Sequence, residues 1–277
     1  MPKNLVEVRH GQGDHNVAQK LRRQGREAEI PEALKGLHDW QYRLTPKGIA
    51  QARMAGVWIQ QNLGLVDEYF DRRYVSPFIR TRETALHLGG AAVGNWLKDD
   101  RLIERSWGTY GIATTEERAD MFGLTQRLNS LSSLYTQYDN GESIGYQTIY
   151  RVRSWLDTLH RDMSEKNVLA VTHGEFMWAT RYVLENMLPE EWDQYDKDKS
   201  QSIRNCTILQ YTRENPDTGE LANQLGWRRI IYPDAPKESP FEGDWMLLPG
   251  KRYMTPEDLQ SSIDAVPQIF GDQYRDF

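Results

Sequence analysis

Short apolar runs alternate with amphipathic stretches along most of this chain. The apolar runs, which predict buried strands, lie at 4–8, 72–75, 203–212, 226–232 and in the first half of 167–188. The stretches with apolar residues at helical spacing, which predict helices, lie at 14–24, 44–63, 76–88, 143–163 and in the second half of 167–188. Strands that alternate with helices in this way predict an α/β sheet with helices on both faces.

Three regions interrupt the alternation. Residues 25–43 are polar and make a long connection for a compact domain, and connections of this length are often functional. Residues 105–140 predict helices without a strong strand signal. From 233 onward the chain is rich in proline and acidic residues, which predicts a surface-wrapping extension or tail. We therefore predict one domain over 1–232, followed by an extension over 233–277.

Composition narrows the function classes. The chain is 27% charged, its mean hydropathy is −0.73, and it has no apolar stretch of membrane-spanning length, so we expect no membrane partner. Its net charge of −6 argues against nucleic-acid binding. The single cysteine, Cys206, excludes an internal disulfide and a thiolate-rich zinc site. With no visible signal peptide, these features predict a cytoplasmic protein. They leave the oligomeric state open, with a homodimer as one alternative.

Chemically distinctive residues follow three of the predicted strands. Ligands of open α/β sheets bind at the carboxyl ends of the strands, where the loops begin. The residues found there are Arg9, His10 and Gly11 after the first strand, Arg80 after the second, and His173 and Gly174 after the strand within 167–188. A glycine directly after a histidine allows close backbone approach and offers an N–H near a helix start, which suits an anion.

Two arginines and two histidines at one sheet edge favour a phosphoryl group as the ligand, because guanidinium matches phosphate in a bidentate manner. An imidazole among these cations could attack phosphorus and hold a phosphohistidine. The other cations would stabilise the oxygens, with no metal needed. A leaving alkoxide also needs a proton. Glu104, at the end of an extended piece at 94–103, could be kept protonated for that role.

Six motifs occur in the order seen in the histidine phosphatase superfamily, also called the phosphoglycerate mutase-like family. They are "VRHGQGDHN", "LTPKGIAQA", "SPFIRTRETA", "LIERSWG", "GES" and "VTHGE". The chain resembles this family from about residue 4 to residue 212. The resemblance implies a three-layer α/β/α sandwich with a mostly parallel central sheet. It also implies a variable helical cap, here at about 105–140.

The resemblance also implies a role for individual residues. His10 would be the phosphorylated nucleophile and Glu104 the proton donor. Arg9, Arg80 and His173 would form the rest of the phosphate pocket, with His173 also acting in catalysis. Asn16 falls where the family often has a pocket asparagine. No metal and no other cofactor is implied.

The first motif departs from the family pattern. Gln12 and Gly13 stand where family members often have glutamate followed by serine or threonine, so one hydroxyl contact to phosphate is missing. Asp14 and His15 are interpreted as a solvated turn or rim residues. A metal-dependent hydrolase is disfavoured because the chain has no His-x-x-x-His pair, and because the arginines would repel the cation.

Three functions remain as hypotheses. The first is a metal-independent phosphomonoesterase acting on a small or protein-borne phosphate ester, with a phosphorylated small molecule as the expected partner. The second is a phosphoglycerate mutase-type phosphotransferase. It is disfavoured because residues 106–140 contain no lysine and only Arg118 and Arg127 as cations. The third is a non-catalytic phosphate-binding module, which predicts a missing nucleophile, arginine or acid, and none is missing.

Overall fold

One mixed sheet organises the described part of the chain. The computed structural model describes residues 1–64, 66–88, 94–198, 200 and 202–269. Within these residues, seven strands form a sheet in the order β3-β2-β4-β1-β5-β6-β7. The strands are β1 (Asn4–Arg9), β2 (Arg72–Val75), β3 (Leu97–Lys98), β4 (Asn167–Thr172), β5 (Ile208–Thr212), β6 (Trp227–Ile231) and β7 (Met246–Leu247).

The two halves of the sheet differ in strand direction. The pairs β3–β2, β2–β4 and β4–β1 are parallel, whereas β1–β5, β5–β6 and β6–β7 are antiparallel. Helices connect the parallel strands, but β5, β6 and β7 follow one another without an intervening α-helix, as antiparallel neighbours can. The predicted α/β fold is confirmed. The strands that directly precede His10 and His173, β1 and β4, pair with each other in the parallel half of the sheet.

Helices cover both faces of the sheet. Those in the described residues are α1 (Asp14–Arg23), α2 (Glu32–Lys35), α3 (Pro46–Asn62), α4 (Val66–Tyr69), α5 (Ile79–His87), α6 (Gly108–Ile112), α7 (Thr115–Leu131), α8 (Ile149–Asp162), α9 (Gly174–Leu184), α10 (Pro189–Lys197) and α11 (Pro256–Asp264). Helix α3 begins as its sequence indicates: the Thr45 hydroxyl accepts the Gly48 N–H at 3.1 Å, and Pro46 is the first helical residue.

Alternating side chains along the strands divide the core into two layers. On β4, Val168 and Ala170 face one layer, and Leu169 and Val171 face the other. The first layer packs against helices α8 and α9 around the fully buried Trp155. The second layer packs against α3 and α5. The three-layer arrangement therefore follows from the period-two pattern of the buried strands.

Some elements differ from the sequence expectation. The extended piece expected at 94–103 pairs only at Leu97–Lys98, followed by a 3₁₀ turn at Asp100–Leu102. The strand expected at 203–212 begins at Ile208. Strand β7 has two residues, too few for a recognisable period, so the hydrophobic pattern does not predict it.

The two irregular regions of the sequence carry short helical pieces. The 25–43 connection contains α2 and two 3₁₀ turns, at Glu27–Glu29 and Asp39–Gln41. Residues 105–140 contain α6 and α7, as expected, joined by a cluster of aromatic side chains that includes Tyr110, Phe122 and Tyr138.

The boundary at 232 between domain and extension stays a prediction. No helix in the described ranges has the length and apolar character needed to cross a membrane.

A buried carboxyl group in β1 makes stability depend on pH. Glu7 is fully buried and accepts a hydrogen bond from the Thr180 hydroxyl at 3.0 Å, while its Oε2 has no partner among the described residues. Burial raises the pKa of Glu7 from 4.5 to about 8. The folded protein therefore keeps this proton over a pH range in which the unfolded chain has lost it.

We expect the free energy of unfolding to fall by a few kcal/mol between pH 5 and 9, at about 1.4 kcal/mol per pKa unit. The contribution of Glu7 is fully present below its unfolded pKa and is lost as pH rises through its folded pKa. The Glu7→Gln variant, compared with the wild type by urea unfolding at several pH values, should show a flatter profile. Glu220→Gln, at an exposed position, is the matched control. Parallel profiles for Glu7→Gln and the wild type would contradict the assignment.

Candidate active site

The register of β1 and β4 brings two histidines side by side. The strands are parallel, and Arg9 pairs with Thr172 at their carboxyl ends. His10 and His173 follow directly, and their ring centroids lie 5.2 Å apart. Arg80 enters from the first turn of α5, which follows the neighbouring strand β2. The three strand ends singled out by the sequence thus contribute to one cluster.

His10 is held as a neutral imidazole with one nitrogen unoccupied. The ring is fully buried, and its Nδ1–H donates to the Gly11 carbonyl oxygen over 2.7 Å. This bond leaves the lone pair on Nε2, which is buried and has no partner among the described residues. Burial lowers the pKa of His10 well below its usual value, and Arg80 and Arg9 lower it further. A neutral imidazole with a free Nε2 is a competent nucleophile.

His173 is oriented by a buried hydroxyl. Its Nε2 lies 2.8 Å from the Ser76 Oγ, and its Nδ1 is buried without a partner in the described structure. The ring also meets the edge of Phe78 at a centroid distance of 5.0 Å. Burial, followed by the charge of Arg80, lowers the pKa of His173 well below its ordinary value. The side chain is therefore neutral, fixed in place and able to offer one further nitrogen to a ligand.

The two arginines are anchored in the same way. The Arg9 Nη1 donates to the Ile203 carbonyl oxygen at 2.6 Å, and the Arg80 Nη1 donates to the Asp39 carbonyl oxygen at 2.6 Å. The Nε of each arginine is buried and has no partner among the described residues. Each guanidinium is thus held at one end and keeps an unpaired donor, the arrangement that an incoming oxyanion requires.

Arg80 also carries an ion pair with the connection at 25–43. Its Nη1 and Nη2 lie 3.2 and 3.3 Å from the two carboxylate oxygens of Asp39. The Arg80 side chain is 1% exposed, whereas that of Asp39 is 46% exposed. The carboxylate therefore approaches a buried cation from the solvent side and offsets part of its charge.

Glu104 lies at the edge of the cluster, where the chain enters α6. Its Oε1 accepts the backbone N–H groups of Glu175 and Arg105, each at 3.1 Å. Burial raises the pKa of this partly buried carboxyl, although Arg80 and Arg9 act in the opposite direction. A raised pKa is the property that a proton donor needs near neutral pH.

Gly11 and Gly174 serve close packing. A Cβ on Gly11 would lie 2.4 Å from the Gly48 carbonyl oxygen, so the residue permits the chain to pass against α3. The Gly11 N–H already donates to the Thr84 hydroxyl at 3.0 Å. Gly174, the first residue of α9, lies against the Arg9 guanidinium, which a Cβ would approach to 3.4 Å. Their assignment as phosphate-binding residues stays a prediction.

Asn16 supports the loop after β1. Its Oδ1 accepts the Gly13 N–H at 2.9 Å and the Asn205 side-chain amide at 3.2 Å. The same Asn205 amide donates to the His10 carbonyl oxygen at 3.1 Å. Asn205 lies in the irregular segment before β5, where the sequence offers no motif that would have identified it. The role of Asn16 toward phosphate stays a prediction.

His15, interpreted from the sequence as part of a solvated turn or the rim, lies partly buried in the first turn of α1. Its ring centroid lies 5.2 Å from that of His10, and the ring stacks on Tyr42 at 5.6 Å with an interplanar angle of 27°. The first turn of α1 directs it back toward the end of β1. Its position directly after the first strand was an available signal. For Asp39 and Tyr42, in a connection without periodicity, no such signal exists.

The charge of this cluster suits an oxyanion. The guanidinium groups of the partly buried Arg9 and the fully buried Arg80 lie near the neutral imidazole of His10 at the carboxyl end of β1. Among the described residues, no group of three or more histidine, cysteine, aspartate or glutamate side chains is arranged to hold a metal ion.

Comparisons with known proteins agree with the fold. The solved structures that are similar to this chain include a mycobacterial glucosyl-3-phosphoglycerate phosphatase, with a TM-score of 0.56 and 22% identity over 82% of this chain and 97% of that one. They also include an Entamoeba histolytica phosphoserine phosphatase, with a TM-score of 0.53 and 21% identity over 76% of this chain and 90% of that one. At these identities the likeness shows the fold alone. A search of curated proteins gave no significant match.

The family model of the histidine phosphatase superfamily (branch 1) matches residues 5–224, which is most of the chain and includes all the residues of the cluster. The resemblance seen in the six sequence motifs is thereby confirmed. The chain belongs to the histidine phosphatase superfamily, branch 1.

Proposed function

We propose that this chain is a phosphomonoesterase that works through a phosphohistidine on His10, without a metal. The observation that carries the proposal is the His10 Nε2, a buried lone pair in a cluster with three other buried nitrogens that lack partners among the described residues: the Arg9 Nε, the Arg80 Nε and the His173 Nδ1. A phosphoryl group placed there would meet a nucleophile and several cationic or polar donors at once. The proposal includes a cytoplasmic location and a small phosphorylated molecule as substrate.

The reaction follows in two steps. In the first, the His10 Nε2 attacks phosphorus, the bond from phosphorus to the ester oxygen breaks, and Glu104 gives its proton to the leaving alcohol. In the second, the Glu104 carboxylate takes a proton from water, and the oxygen of that water displaces His10 and forms inorganic phosphate. Arg9, Arg80 and His173 stabilise the charge on the phosphoryl oxygens in both steps.

A mutase is the weaker alternative, because it needs cap cations that hold a second acidic group of the substrate. In the described cap, Arg118 donates from Nε to the Tyr110 carbonyl oxygen at 3.1 Å and lies 4.4 Å from the Tyr110 ring centroid. Arg105 is engaged with the carbonyl oxygens of Thr136 and Glu142. These arginines stabilise the cap itself. The names of the similar structures, both phosphatases, also favour hydrolysis.

The first prediction concerns the nucleophile. His10→Ala should abolish hydrolysis of p-nitrophenyl phosphate and the acid-labile phosphoryl adduct that the wild type forms, since it removes the Nε2 on which the proposed phosphohistidine forms. His160→Ala, on an exposed part of α8, is the matched control and should retain turnover. Activity of the folded His10→Ala variant near the wild-type level would contradict the mechanism.

The second prediction concerns the proton donor. Glu104→Gln should reduce hydrolysis of sugar phosphates far more than that of p-nitrophenyl phosphate, because nitrophenolate leaves without protonation. Since Glu104 must be protonated for the first step, kcat/KM of the wild type should fall as pH rises through the raised pKa of Glu104. That alkaline limb should vanish in the variant. The exposed Glu116→Gln is the control. Equal losses on both substrates would exclude Glu104 as the acid.

The third prediction concerns the ion pair of Arg80. Asp39→Asn keeps the shape of the contact and the carbonyl that holds the Arg80 Nη1, but it removes a negative charge beside the anion site. Inorganic phosphate should then inhibit more strongly, by roughly two- to fivefold, because a half-exposed charge is partly screened. The difference should shrink at high salt. The exposed Asp157→Asn should change nothing, and weaker inhibition of Asp39→Asn would show that the charge of Asp39 instead supports binding.

A further inference from the structure

His15 is the third imidazole at the end of β1, and the proposed reaction does not use it. The side chain belongs to the first turn of α1 and is partly buried. Its Nδ1 is buried and has no hydrogen-bond partner among the described residues. A buried polar nitrogen without a hydrogen-bond partner costs free energy. A ligand that forms a hydrogen bond with this nitrogen would remove that cost.

Gly13 makes room for the ring. A Cβ at position 13 would lie 2.8 Å from the His15 Nδ1 and 3.0 Å from its Cε1, and 3.1 Å from the Arg43 carbonyl oxygen. Real side chains do not tolerate the shortest of these separations, so any other residue at position 13 would push the imidazole away. The position of the His15 ring therefore depends on glycine at position 13.

Tyr42 packs against the face of the His15 ring. It belongs to the 25–43 connection and stacks on the imidazole. The next residues are anchored: the Arg43 carbonyl oxygen accepts the Asp14 N–H at 3.0 Å, and the Leu44 N–H donates to Glu83 at 2.7 Å. The Arg43 side chain also pairs with Glu83. His15 is thus fixed between a glycine and a stacked ring, which limits the entropy lost when it binds a ligand.

Position and charge indicate what that ligand is. The His15 ring centroid lies 5.2 Å from that of His10, the same distance that separates the His10 and His173 rings, so His15 is as near to His10 as His173 is. Burial and the charges of Arg80 and Arg9 lower the pKa of His15 well below its usual value. The ring therefore lies in the field of the same two arginines that face the oxyanion, and as a neutral imidazole it carries one N–H donor.

We propose that His15 is a phosphate-binding residue, which donates a hydrogen bond to a non-bridging oxygen of the phosphoryl group bound between Arg9, Arg80 and His10. The proposal rests on the proposed function of the site. It assigns Gly13 and Tyr42 as positioning residues that act through His15. The competing explanation is that His15 only fills space between Tyr42 and His10.

The binding of inorganic phosphate and of orthovanadate, measured by isothermal titration calorimetry, separates the two explanations without turnover. The similar mycobacterial glucosyl-3-phosphoglycerate phosphatase has been solved with inorganic phosphate and with VO3, so phosphate and a vanadate are suitable probes. His15→Phe keeps a ring to stack on Tyr42 and removes both nitrogens. It should weaken binding roughly tenfold, the value of one hydrogen bond to a charged group. His15→Gln, which can donate, should recover part of the loss.

The positioning residues provide a second, independent test. Gly13→Ala displaces the ring and should weaken phosphate binding as much as His15→Phe does, and the double variant should be no weaker than either single one. Tyr42→Phe preserves the stacking and should bind like the wild type, whereas Tyr42→Ala should lose part of the affinity. Thermal unfolding of each variant verifies that the chain is folded.

The outcomes distinguish this inference from the function on which it rests. If His15→Phe binds phosphate like the wild type while Arg80→Ala does not bind it, the anion site stands and the role of His15 is wrong. If the losses in Gly13→Ala and His15→Phe add fully, the two residues act separately and the proposal is also overturned. If the wild type binds neither anion, the phosphatase function fails, and the role of His15 fails with it.

Discussion

The parallel pairing of β1 with β4 is the constraint on which the site depends. Because Arg9 pairs with Thr172, the residues that follow, His10 and His173, leave the sheet at the same height and face the same space. A shift of one residue in this register would exchange the side chains of β1 between the two core layers. The apolar pairing that stabilises the core therefore also sets the distance between the two imidazoles.

Several buried nitrogens of the cluster have no hydrogen-bond partner among the described residues. Buried nitrogens without partners each cost about 1–3 kcal/mol, and the site contains several of them on two arginines and three histidines. The Asp39 carboxylate offsets this cost only in part, from the edge of the pocket. Packing elsewhere in the two core layers must supply the rest. An oxyanion that enters the site satisfies groups which the protein has already desolvated, so folding has prepaid part of the cost of binding.

Sequence reasoning located the parts of the site that periodic structure positions. His10, Arg80 and His173 follow strands whose pattern is visible in the chain, and the rule about strand ends places them together. It missed Asp39, Tyr42 and Asn205, because irregular segments bring them in through tertiary contacts that leave no period. It gave no indication that the His15 ring packs between His10 and Tyr42, because Tyr42 belongs to one of these irregular segments. In the fold, the pattern of the sequence also did not predict the two-residue strand β7 or the complete burial of Glu7.

The contact of Gly13, His15 and Tyr42 has a consequence for how this sequence can change. The three residues come from two segments that are separate along the chain but adjacent in space, so the effect of a substitution at one depends on the residue present at the others. A side chain at position 13 would be harmless only in a chain whose His15 had already been lost, and a shortened 25–43 connection would relax the requirement for glycine. If the anion site is to be kept, substitutions at positions 13, 15 and 42 therefore have to occur in a particular order.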